Sequence, residues 1–499
     1  MAFNDTKRGS EAHMEIKKMY IDGQWVLGSS GKTRNIINPA TEEVLAAVTE
    51  GNADDVKLAA QAASRAFYDD GWRESKARVR AELLLRLADK LEESAEDFAR
   101  LETLNNGKPI SEARYDVADA VNQFRYYAGL ATKPHGQVFD VPDDVQSIVV
   151  TEAVGVAAII TPWNYPLVMA TQKIAAAIAA GCTVIVKPAS VTPLTTIRLF
   201  ELIDELEFPK GVLNLVIGPG SAIGNELSEN PLIDKISFTG GTETGVVIAQ
   251  KAAPTMKRLS LELGGKSPLV VFDDADFDVA VEYALFAIFA NQGQVCSAGS
   301  RLILQETMYG RFVEELLKQV KKIKIGPGIE EHTLMGPLVS EEQRKTVESY
   351  VEIGLNEGAT LLCGGKRIEG RGYFFEPTIF TDTTPDMRIV QEEIFGPVLV
   401  IQKFRAEEEA IRLANDTKFG LAGAVFTGDS ARAMRVSRKI RAGIFWINTY
   451  HNTYNEAPWG GFKMSGIGRD LGTYGFQQFL EPKQINVKLH VSPAGWLPR

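Results

Sequence analysis

Cys296 is the residue of this sequence best suited to nucleophilic chemistry. It stands in the run Phe289-Ala-Asn-Gln-Gly-Gln-Val-Cys-Ser-Ala-Gly-Ser300, where nearby glycines leave the thiol open to close approach. A second glycine-containing run, Leu261-Glu-Leu-Gly-Gly-Lys-Ser267, holds Glu262, a carboxylate that could act as a base for the thiol or for water. A single cysteine is more often a small buried apolar residue, so the pair needs support from the rest of the chain.

Composition and charge exclude several classes of function. The 499 residues carry a net charge of −10, and this acidic balance does not favour binding to nucleic acid or to an anionic membrane. Three cysteines are too few for a disulfide framework and indicate a reducing compartment. The five histidines lack the spacing of metal ligands, so no metal is expected. Without an apolar leader or a run long enough to span a bilayer, the protein is expected to be soluble and cytoplasmic.

Helices and strands must bring these side chains together, and the apolar pattern predicts where they lie. Residues 54–106 are expected to be helical, because apolar positions recur at helical spacing. From residue 156 short apolar strands alternate with helices, which predicts a parallel doubly wound sheet that binds ligands at the carboxyl ends of its strands. The predicted strands are 156–160, 183–187, 213–217, 235–238 and 259–263, and the first predicted helix between them is 168–180.

Two further regions complete the predicted architecture. A second α/β unit is expected from about residue 267 to about residue 465. The valines and Pro142 of 136–152 favour extended chain, and 483–489 is another candidate strand. Two remote strands with little core of their own indicate a small sheet that pairs with another subunit, in a homo-oligomer that could be a dimer or a tetramer.

Two glycine-rich turns each follow a predicted strand and precede a predicted helix, where backbone N–H groups suit a pyrophosphate. The first, Ile217-Gly-Pro-Gly-Ser-Ala-Ile-Gly224, is close to the dinucleotide fingerprint but has one residue too many before its last glycine. A plain turn between a strand and a helix explains it equally well. The second is Phe238-Thr-Gly-Gly-Thr-Glu-Thr-Gly245.

The runs around Glu262 and Cys296, in this order and spacing, resemble the two active-site signatures of the aldehyde dehydrogenase superfamily. Other motifs extend the resemblance over nearly the whole chain, and overall it looks closest to betaine aldehyde dehydrogenases and related broad-specificity enzymes. These motifs are Thr161-Pro-Trp-Asn-Tyr-Pro166, Lys187-Pro188, Glu392-Glu-Ile-Phe-Gly-Pro397 and Pro458-Trp-Gly-Gly-Phe-Lys-Met-Ser-Gly466.

The resemblance implies the NAD(P)-dependent oxidation of an aldehyde to a carboxylic acid through a cysteine thiohemiacetal and a thioester. By resemblance, Cys296 is the nucleophile, and the Asn164 amide binds the oxyanion together with the Cys296 backbone N–H. Glu262 then activates water, and Lys173 and Asp470 form a proton relay. The family usually has glutamate where Asp470 stands, so this carboxylate is one methylene shorter.

The resemblance also implies a set of cofactor contacts, with the second glycine turn beside the pyrophosphate. Lys187 would bind the adenosine ribose, while Glu393 would bind the nicotinamide ribose and Phe395 would pack near the nicotinamide. Strictly NAD-preferring members usually carry glutamate where Ser190 stands, so NADP is expected to be accepted as well as NAD. The expected contacts are Ile160, Thr161, Pro162, Trp163, Lys187, Ser190, Gly220, Phe238, Gly240, Gly241, Gly245, Leu263, Glu393 and Phe395.

The substrate positions depart from those of enzymes that bind a trimethylammonium group in an aromatic box. By resemblance, the box positions are Tyr165, Gln172, Ala290 and Trp459. Only Tyr165 and Trp459 are aromatic, so two cation–π partners are missing and the tunnel should be wider. Bulky or apolar aldehydes are therefore the expected substrates, with weaker activity on betaine aldehyde.

The predicted fold is α/β: a doubly wound parallel-sheet cofactor domain, a second α/β catalytic domain and a small β oligomerisation element. The expected ranges are 1–130 with 153–266, then 267–465, and 131–152 with 480–499. Two alternatives stay open, a CoA-acylating semialdehyde dehydrogenase, which typically lacks the base that Glu262 supplies, and a non-catalytic structural or binding protein on the same scaffold.

Overall fold

A computed structural model describes residues 15–133, 136–142 and 144–497. Two of the five histidines, His13 and His135, lie outside the described residues, as do the outer ends of the predicted cofactor domain and oligomerisation element. Among the described residues no helix has the length and apolar character that crossing a membrane requires. In the same part of the chain, no group of three His, Cys, Asp or Glu side chains is placed to hold a metal ion.

The largest sheet has eight strands, and its middle five are parallel, as the alternating pattern predicted. Its order is β22-β12-β11-β8-β9-β10-β2-β3, with β2 (Met19–Ile21), β3 (Gln24–Val26), β8 (Val156–Ile160), β9 (Thr183–Lys187), β10 (Leu213–Leu215), β11 (Lys235–Thr239), β12 (Arg258–Glu262) and β22 (Gly466–Ile467). The edge strands are antiparallel, which the pattern did not show. At one edge, Asp22 and Gly23 turn β2 back into β3 with positive φ at both residues, which is the geometry of a two-residue hairpin.

Helices cover both faces of this sheet. They are α1 (Ala53–Tyr68), α2 (Ala77–Glu93), α3 (Ala95–Asn106), α4 (Ile110–Ala131), α5 (Pro166–Ala180), α6 (Leu194–Glu205), α7 (Gly220–Glu229) and α8 (Thr242–Ala252). The helix predicted over 168–180 starts two residues earlier, because proline is well suited to the first helical position. Nearly every residue of α5 is buried, which fits its apolar sequence between the sheet and α4.

A second sheet of seven strands lies in the later part of the chain. Its order is β15-β16-β17-β14-β13-β19-β20, with β13 (Pro268–Val271), β14 (Arg301–Gln305), β15 (Thr360–Cys363), β16 (Thr378–Thr381), β17 (Val398–Phe404), β19 (Ala422–Phe426) and β20 (Ile444–Ile447). Only β15 is antiparallel. Its helices are α9 (Phe277–Phe289), α10 (Tyr309–Val320), α11 (Glu341–Asn356), α12 (Arg388–Gln391), α13 (Glu407–Asn415), α14 (Ser430–Lys439) and α15 (Gly472–Gln477), the last of which packs on α5. The predicted α/β fold class is confirmed.

The two remote segments predicted to be extended form one antiparallel sheet. It consists of β6 (Gly136–Phe139), β7 (Val145–Ala153) and β23 (Leu480–Lys488), with β7 in the middle. Several apolar side chains of this sheet are exposed, including Val138 and Ile485. Pairing with another subunit and the domain boundaries both stay predictions.

Minor elements complete the fold. They are β1 (Ile16–Lys17), β4 (Lys32–Ile37) and β5 (Val44–Glu50) in one small sheet, β18 (Phe419–Gly420) paired with β21 (Phe462–Lys463), and 3₁₀ turns at Trp72–Glu74, Ala253–Thr255, Ala290–Gly293 and Glu306–Met308.

Candidate active site

Two cavities meet at Cys296. The first has a volume of about 590 Å³ and lies at the carboxyl ends of β8, β9, β11 and β12. The second has a volume of about 420 Å³ and lies against α4 and α5. Among the described residues, only Tyr165, Met169 and Cys296 line both cavities. The half-buried thiol is therefore accessible to one molecule in each cavity.

The turn that precedes Cys296 is held in an uncommon conformation. Asn291 and Gln292 have φ values of 44° and 58°, which cost about 1 kcal/mol each for residues other than glycine. Buried hydrogen bonds offset this cost: the Asn291 amide donates to the Asn164 carbonyl (3.1 Å), and the Gln292 amide donates to the Pro337 carbonyl (3.1 Å). The thiol is thus positioned by a rigid segment, as precise nucleophilic attack requires.

The thiol is protonated at neutral pH in this environment. Burial raises the pKa of Cys296 to about 12, and the nearby Glu393 and Glu262 carboxyls add to the rise. Since the thiolate is the reactive form, attack requires a group that accepts the proton.

Asn164 lines the first cavity together with Cys296. Its Nδ2 donates to the Gln294 carbonyl at 2.9 Å, which fixes the orientation of the buried amide. An amide nitrogen carries two hydrogens, so a second donor is left for an oxygen atom in the cavity.

Glu262 ends β12 and is almost fully buried. Neither of its carboxyl oxygens has a hydrogen-bond partner among the described residues. Burial, followed by the charge of Asp470, raises the pKa of Glu262 well above its ordinary value, and Lys173 and Arg469 act in the opposite direction. Gly460 (φ 151°) allows the chain to pass close by, since a Cβ there would lie 2.5 Å from Glu262 Oε1. The arrangement provides a proton acceptor of high affinity beside the thiol.

Lys173 and Asp470 form a buried ion pair, and neither lines a cavity. The Lys173 ammonium also donates to Ser237 Oγ at 3.1 Å. Gln172, which was predicted as a substrate residue, lines the second cavity but donates its amide N–H to Asp470 Oδ2 at 3.0 Å.

All the predicted cofactor residues except Ser190 and Gly245 line the first cavity. Ser190 follows the lining residue Ala189, and its hydroxyl donates to the Gly218 carbonyl at 3.0 Å. Gly245 allows close packing of α8 against Leu263, the residue after β12, because a Cβ at Gly245 would lie 2.5 Å from a Leu263 methyl carbon. The sequence did not predict several other lining residues from the exposed sides of α5, α7, α8 and α11, among them Met169, Ser221, Asn225, Thr244, Lys251 and Gln343.

Ionisable and aromatic groups also line the first cavity. Burial lowers the pKa of the Lys187 ammonium to about 8, and Lys187 donates to the Pro188 carbonyl at 3.1 Å. Burial raises the pKa of Glu393 to about 7, while its Oε1 accepts from the Gly265 N–H at 3.0 Å. Trp163 and Phe395 meet edge to face with their ring centres 5.1 Å apart.

The second cavity contains all four predicted substrate residues, Tyr165, Gln172, Ala290 and Trp459. It also contains a stripe of α4 that the sequence did not predict. This acidic stripe consists of Glu112, Tyr115, Asp116 and Asp119, which recur at helical spacing. That spacing was a usable signal, although charges at such spacing usually mark a solvent-exposed face.

The acidic stripe contributes three carboxyl groups to the cavity wall, and the ammonium group of Lys108 pairs with one of them. Burial raises the pKa of Glu112 to about 7 and that of Asp119 to about 6. Asp116 is paired with the buried Lys108, whose ammonium lies 4.0 Å from the centre of the Tyr165 ring. His451 is neutral, because burial lowers its pKa to about 4. The other unpredicted lining residues are Ser111, Val168, Met169, Phe286, Val295, Ser297, His451, Asn452, Thr453 and Leu471.

Comparisons with known proteins agree with this geometry. The sequence profile of the aldehyde dehydrogenase family matches residues 25–485. Betaine aldehyde dehydrogenase of Bacillus subtilis is 47% identical over 483 residues, which cover 96% of this chain and 99% of that protein. Aminoaldehyde dehydrogenase 1, peroxisomal, of Pisum sativum is 44% identical over 489 residues, which cover 96% and 97%. The crystal structure of betaine aldehyde dehydrogenase from Staphylococcus aureus in complex with NAD⁺ superimposes with a TM-score of 0.96 and 47% identity, covering 98% of each chain.

Proposed function

This chain belongs to the aldehyde dehydrogenase family, and from that premise we propose which residues bind the cofactor and which carry out each chemical step. It is an enzyme that oxidises aldehydes with NAD. The observation that carries the proposed roles is the position of Cys296, where the two cavities join and where Glu262 lies close by.

The first cavity fits the cofactor. A Cβ at Gly220 or Gly241 would meet no atom within 4 Å, so these helix starts present bare backbone to the cavity, as a pyrophosphate requires. We assign Lys187 to the adenosine ribose and Glu393 to the nicotinamide ribose, since a buried ammonium and a buried carboxyl suit ribose hydroxyls. When bound, NAD supplies an acceptor for the hydride of the substrate carbon.

Cys296 and Asn164 carry out the first chemical step. The sulfur adds to the aldehyde carbon, the thiol proton leaves to Glu262 or to water, and the carbonyl oxygen becomes an alkoxide. The Asn164 amide and the Cys296 backbone N–H stabilise that oxyanion, and the loss of one such donor typically costs about 3 kcal/mol.

As the alkoxide re-forms the carbon–oxygen double bond, the substrate carbon loses its hydride and the thioester results. Glu262 carries out the next step, the hydrolysis of the thioester. It takes a proton from water as the water oxygen attacks the acyl carbon, the carbon–sulfur bond breaks, and this proton passes to the sulfur to regenerate the thiol. Asp470 and Lys173 carry away the remaining proton, which the acid product releases. The presence of this base supports hydrolysis over transfer to CoA. In the test, the enzyme is incubated with NAD and an aldehyde, and equal formation of the free acid with and without CoA is expected. An acyl-CoA product would contradict hydrolysis.

We propose that the preferred substrates are aldehydes that end in a primary ammonium group. The acidic stripe supports this, because carboxylates accept hydrogen bonds from a primary ammonium. A trimethylammonium group has no N–H to donate and depends on aromatic faces, two of which are replaced by Gln172 and Ala290. The named relatives include aminoaldehyde dehydrogenases. Apolar aldehydes, the expectation from sequence, remain a second candidate, supported by Tyr165, Phe286 and Trp459 in the cavity wall.

The proposed preference predicts that kcat/KM for 4-aminobutanal exceeds that for its apolar isostere pentanal by about 10-fold or more, the effect of one charged hydrogen bond. The difference should grow from pH 6 to pH 8, because Asp119 and Glu112 ionise as the pH rises through their raised pKa values. Asp119→Asn keeps the side-chain shape and should reduce the preference, with little change for pentanal. A kcat/KM for pentanal or betaine aldehyde equal to that for 4-aminobutanal would contradict the proposal.

Ser190 leads to a prediction about the use of NADP relative to NAD. NADP should be used, though less well than NAD, because Ser190 cannot repel a 2′-phosphate. Ser190→Glu places a carboxylate there and should lower kcat/KM for NADP at least about 10-fold relative to NAD. Ser190→Ala, which loses the bond to Gly218 but adds no charge, is the matched control. If the ratio stays constant in Ser190→Glu, this residue does not face the 2′ position.

The proposal also covers the oligomeric state of the protein and its location in the cell. We infer a homo-oligomer, dimer or tetramer, formed through the exposed apolar side chains of the sheet of β6, β7 and β23. A cytoplasmic location is supported by the three free cysteines, which suit a reducing compartment. Light scattering of the purified chain gives the mass that tests the first of these inferences.

A further inference from the structure

Gln172 contacts two parts of the site at once. Its side chain lines the substrate cavity, while its Nε2 donates to Asp470 Oδ2 at 3.0 Å. The same oxygen of Asp470 is paired with Lys173. All three residues are at most 4% exposed. At such burial a hydrogen bond to a charged carboxylate is strong, and its loss leaves the acceptor short of a partner.

The surrounding backbone fixes where Asp470 lies but not where its carboxylate points. Asp470 and Trp459 exchange two backbone hydrogen bonds of 2.8 Å, so the main chain is anchored to the wall of the substrate cavity. Gln172 and Lys173 are consecutive residues of α5 that approach Oδ2 from adjacent directions. Together these two side chains set the orientation of the carboxylate.

We propose that Gln172 is a positioning residue of the proton relay, and that its amide holds the short Asp470 carboxylate against Lys173. The inference rests on the proposed roles of Glu262, Lys173 and Asp470. An aspartate has one methylene less than the glutamate usual in the family, and the Gln172 amide supplies a second contact for it. One side chain thus serves both the substrate wall and the relay.

The charges around Glu262 determine the direction in which its pKa should change when the Gln172 amide is removed. Glu262 is faced by Asp470, Lys173, Arg469 and Cys296. The Asp470 charge raises the pKa of Glu262, and an N–H pointing at Oδ2 offsets part of that charge. The same charge acts on two further buried groups, Tyr127 and Lys235. Without the amide, the pKa of Glu262 should rise, and the rising limb of kcat against pH should move to higher pH.

The test is Gln172→Met, which removes the N–H donor and keeps the length of the side chain. Steady-state kcat should fall about 10-fold, the limb should move up by about half a pH unit, and the pre-steady-state burst of NADH should persist. Gln172→Leu is the second variant, and retained NAD binding identifies folded protein. Val168→Ala is the control on the same helix and cavity wall, and it should change KM without moving the limb.

A double-mutant cycle with Asp470→Asn distinguishes an error in the role of Gln172 from an error in the proposed proton relay. If Gln172 acts through Asp470, Gln172→Met should cause no further loss in the Asp470→Asn background. Equal losses in both backgrounds, or an unmoved limb, would overturn the positioning role alone. If Asp470→Asn itself changes neither kcat nor the limb, the relay and the role of Gln172 both fall, whereas the role of Glu262 is judged by its own variant.

Discussion

Replacing Cys296 with alanine is expected to reduce aldehyde oxidation to below about a thousandth of the wild-type rate while NAD binding is kept. The thiol lies where the two cavities join, so it can reach an aldehyde in the second cavity while the first cavity holds the cofactor. The substitution removes one buried sulfur from a turn that is held by the Asn291 and Gln292 amides, and the cofactor cavity should keep its shape. Steady-state NADH formation and a separate NAD titration measure the two properties.

The chain provides its own control for this variant. Cys363 lies on the edge strand β15, where its thiol points at the Pro377 carbonyl, and it lines neither cavity. Cys363→Ala should therefore leave kcat/KM within about twofold, as is typical of a substitution away from the site. Activity of Cys296→Ala above a thousandth of wild type would show that another group attacks the aldehyde.

Glu262→Gln is expected to slow deacylation by about 10²- to 10⁴-fold and to change hydride transfer much less. The thioester then accumulates, so the first turnover should give a rapid burst of NADH that is followed by slow turnover. The reason is that water needs a base and the hydride step does not. Glutamine keeps the size of the side chain, so the packing against Gly460 is preserved. Burst and steady state that fall equally would show that Glu262 does not act in deacylation.

The raised pKa of Glu262 gives this prediction a dependence on pH. Because the base form of a carboxyl increases as the pH rises through its pKa, wild-type kcat should rise with pH. Because burial holds this pKa above its ordinary value, the rise should come at a higher pH than an exposed glutamate would give. In Glu262→Gln the limb should disappear. A rising limb of the same midpoint in the variant would assign it to a different group.

The sequence predicted the parts of the site that depend on local pattern. Cys296 and Glu262 were assigned because their glycine-containing runs resemble the two signatures of the family, and alternating apolar strands indicated the sheet whose carboxyl ends line the first cavity. Some local predictions needed adjustment. The strand predicted over 213–217 ends at Leu215, and its chain continues into the turn that begins α7.

Contacts between distant segments could not be predicted in the same way. The acidic stripe of α4 has the pattern of a solvent-exposed face, and the tertiary structure places it in the wall of a cavity, where remote residues such as Asn291 and Asn455 donate to Glu112 and Asp119. Gln172 and Asp470 are 298 residues apart, so their hydrogen bond has no local signal. The antiparallel edge strand β22 likewise joins the large sheet from a remote part of the chain.

The sharing of only three residues between the two cavities has a consequence for evolution. With the proposed roles of the two cavities, a mutation elsewhere in the wall of the second cavity, Gln172 excepted, should alter which aldehyde is accepted and leave cofactor recognition intact. New substrate ranges should then be reachable by single substitutions that keep a working enzyme. Tyr165 and Met169 are further exceptions, because each lines both cavities and a change at either should affect cofactor binding as well as substrate binding. A library built for a new aldehyde should leave these two fixed and vary positions such as Ala290, Asn452 and Thr453.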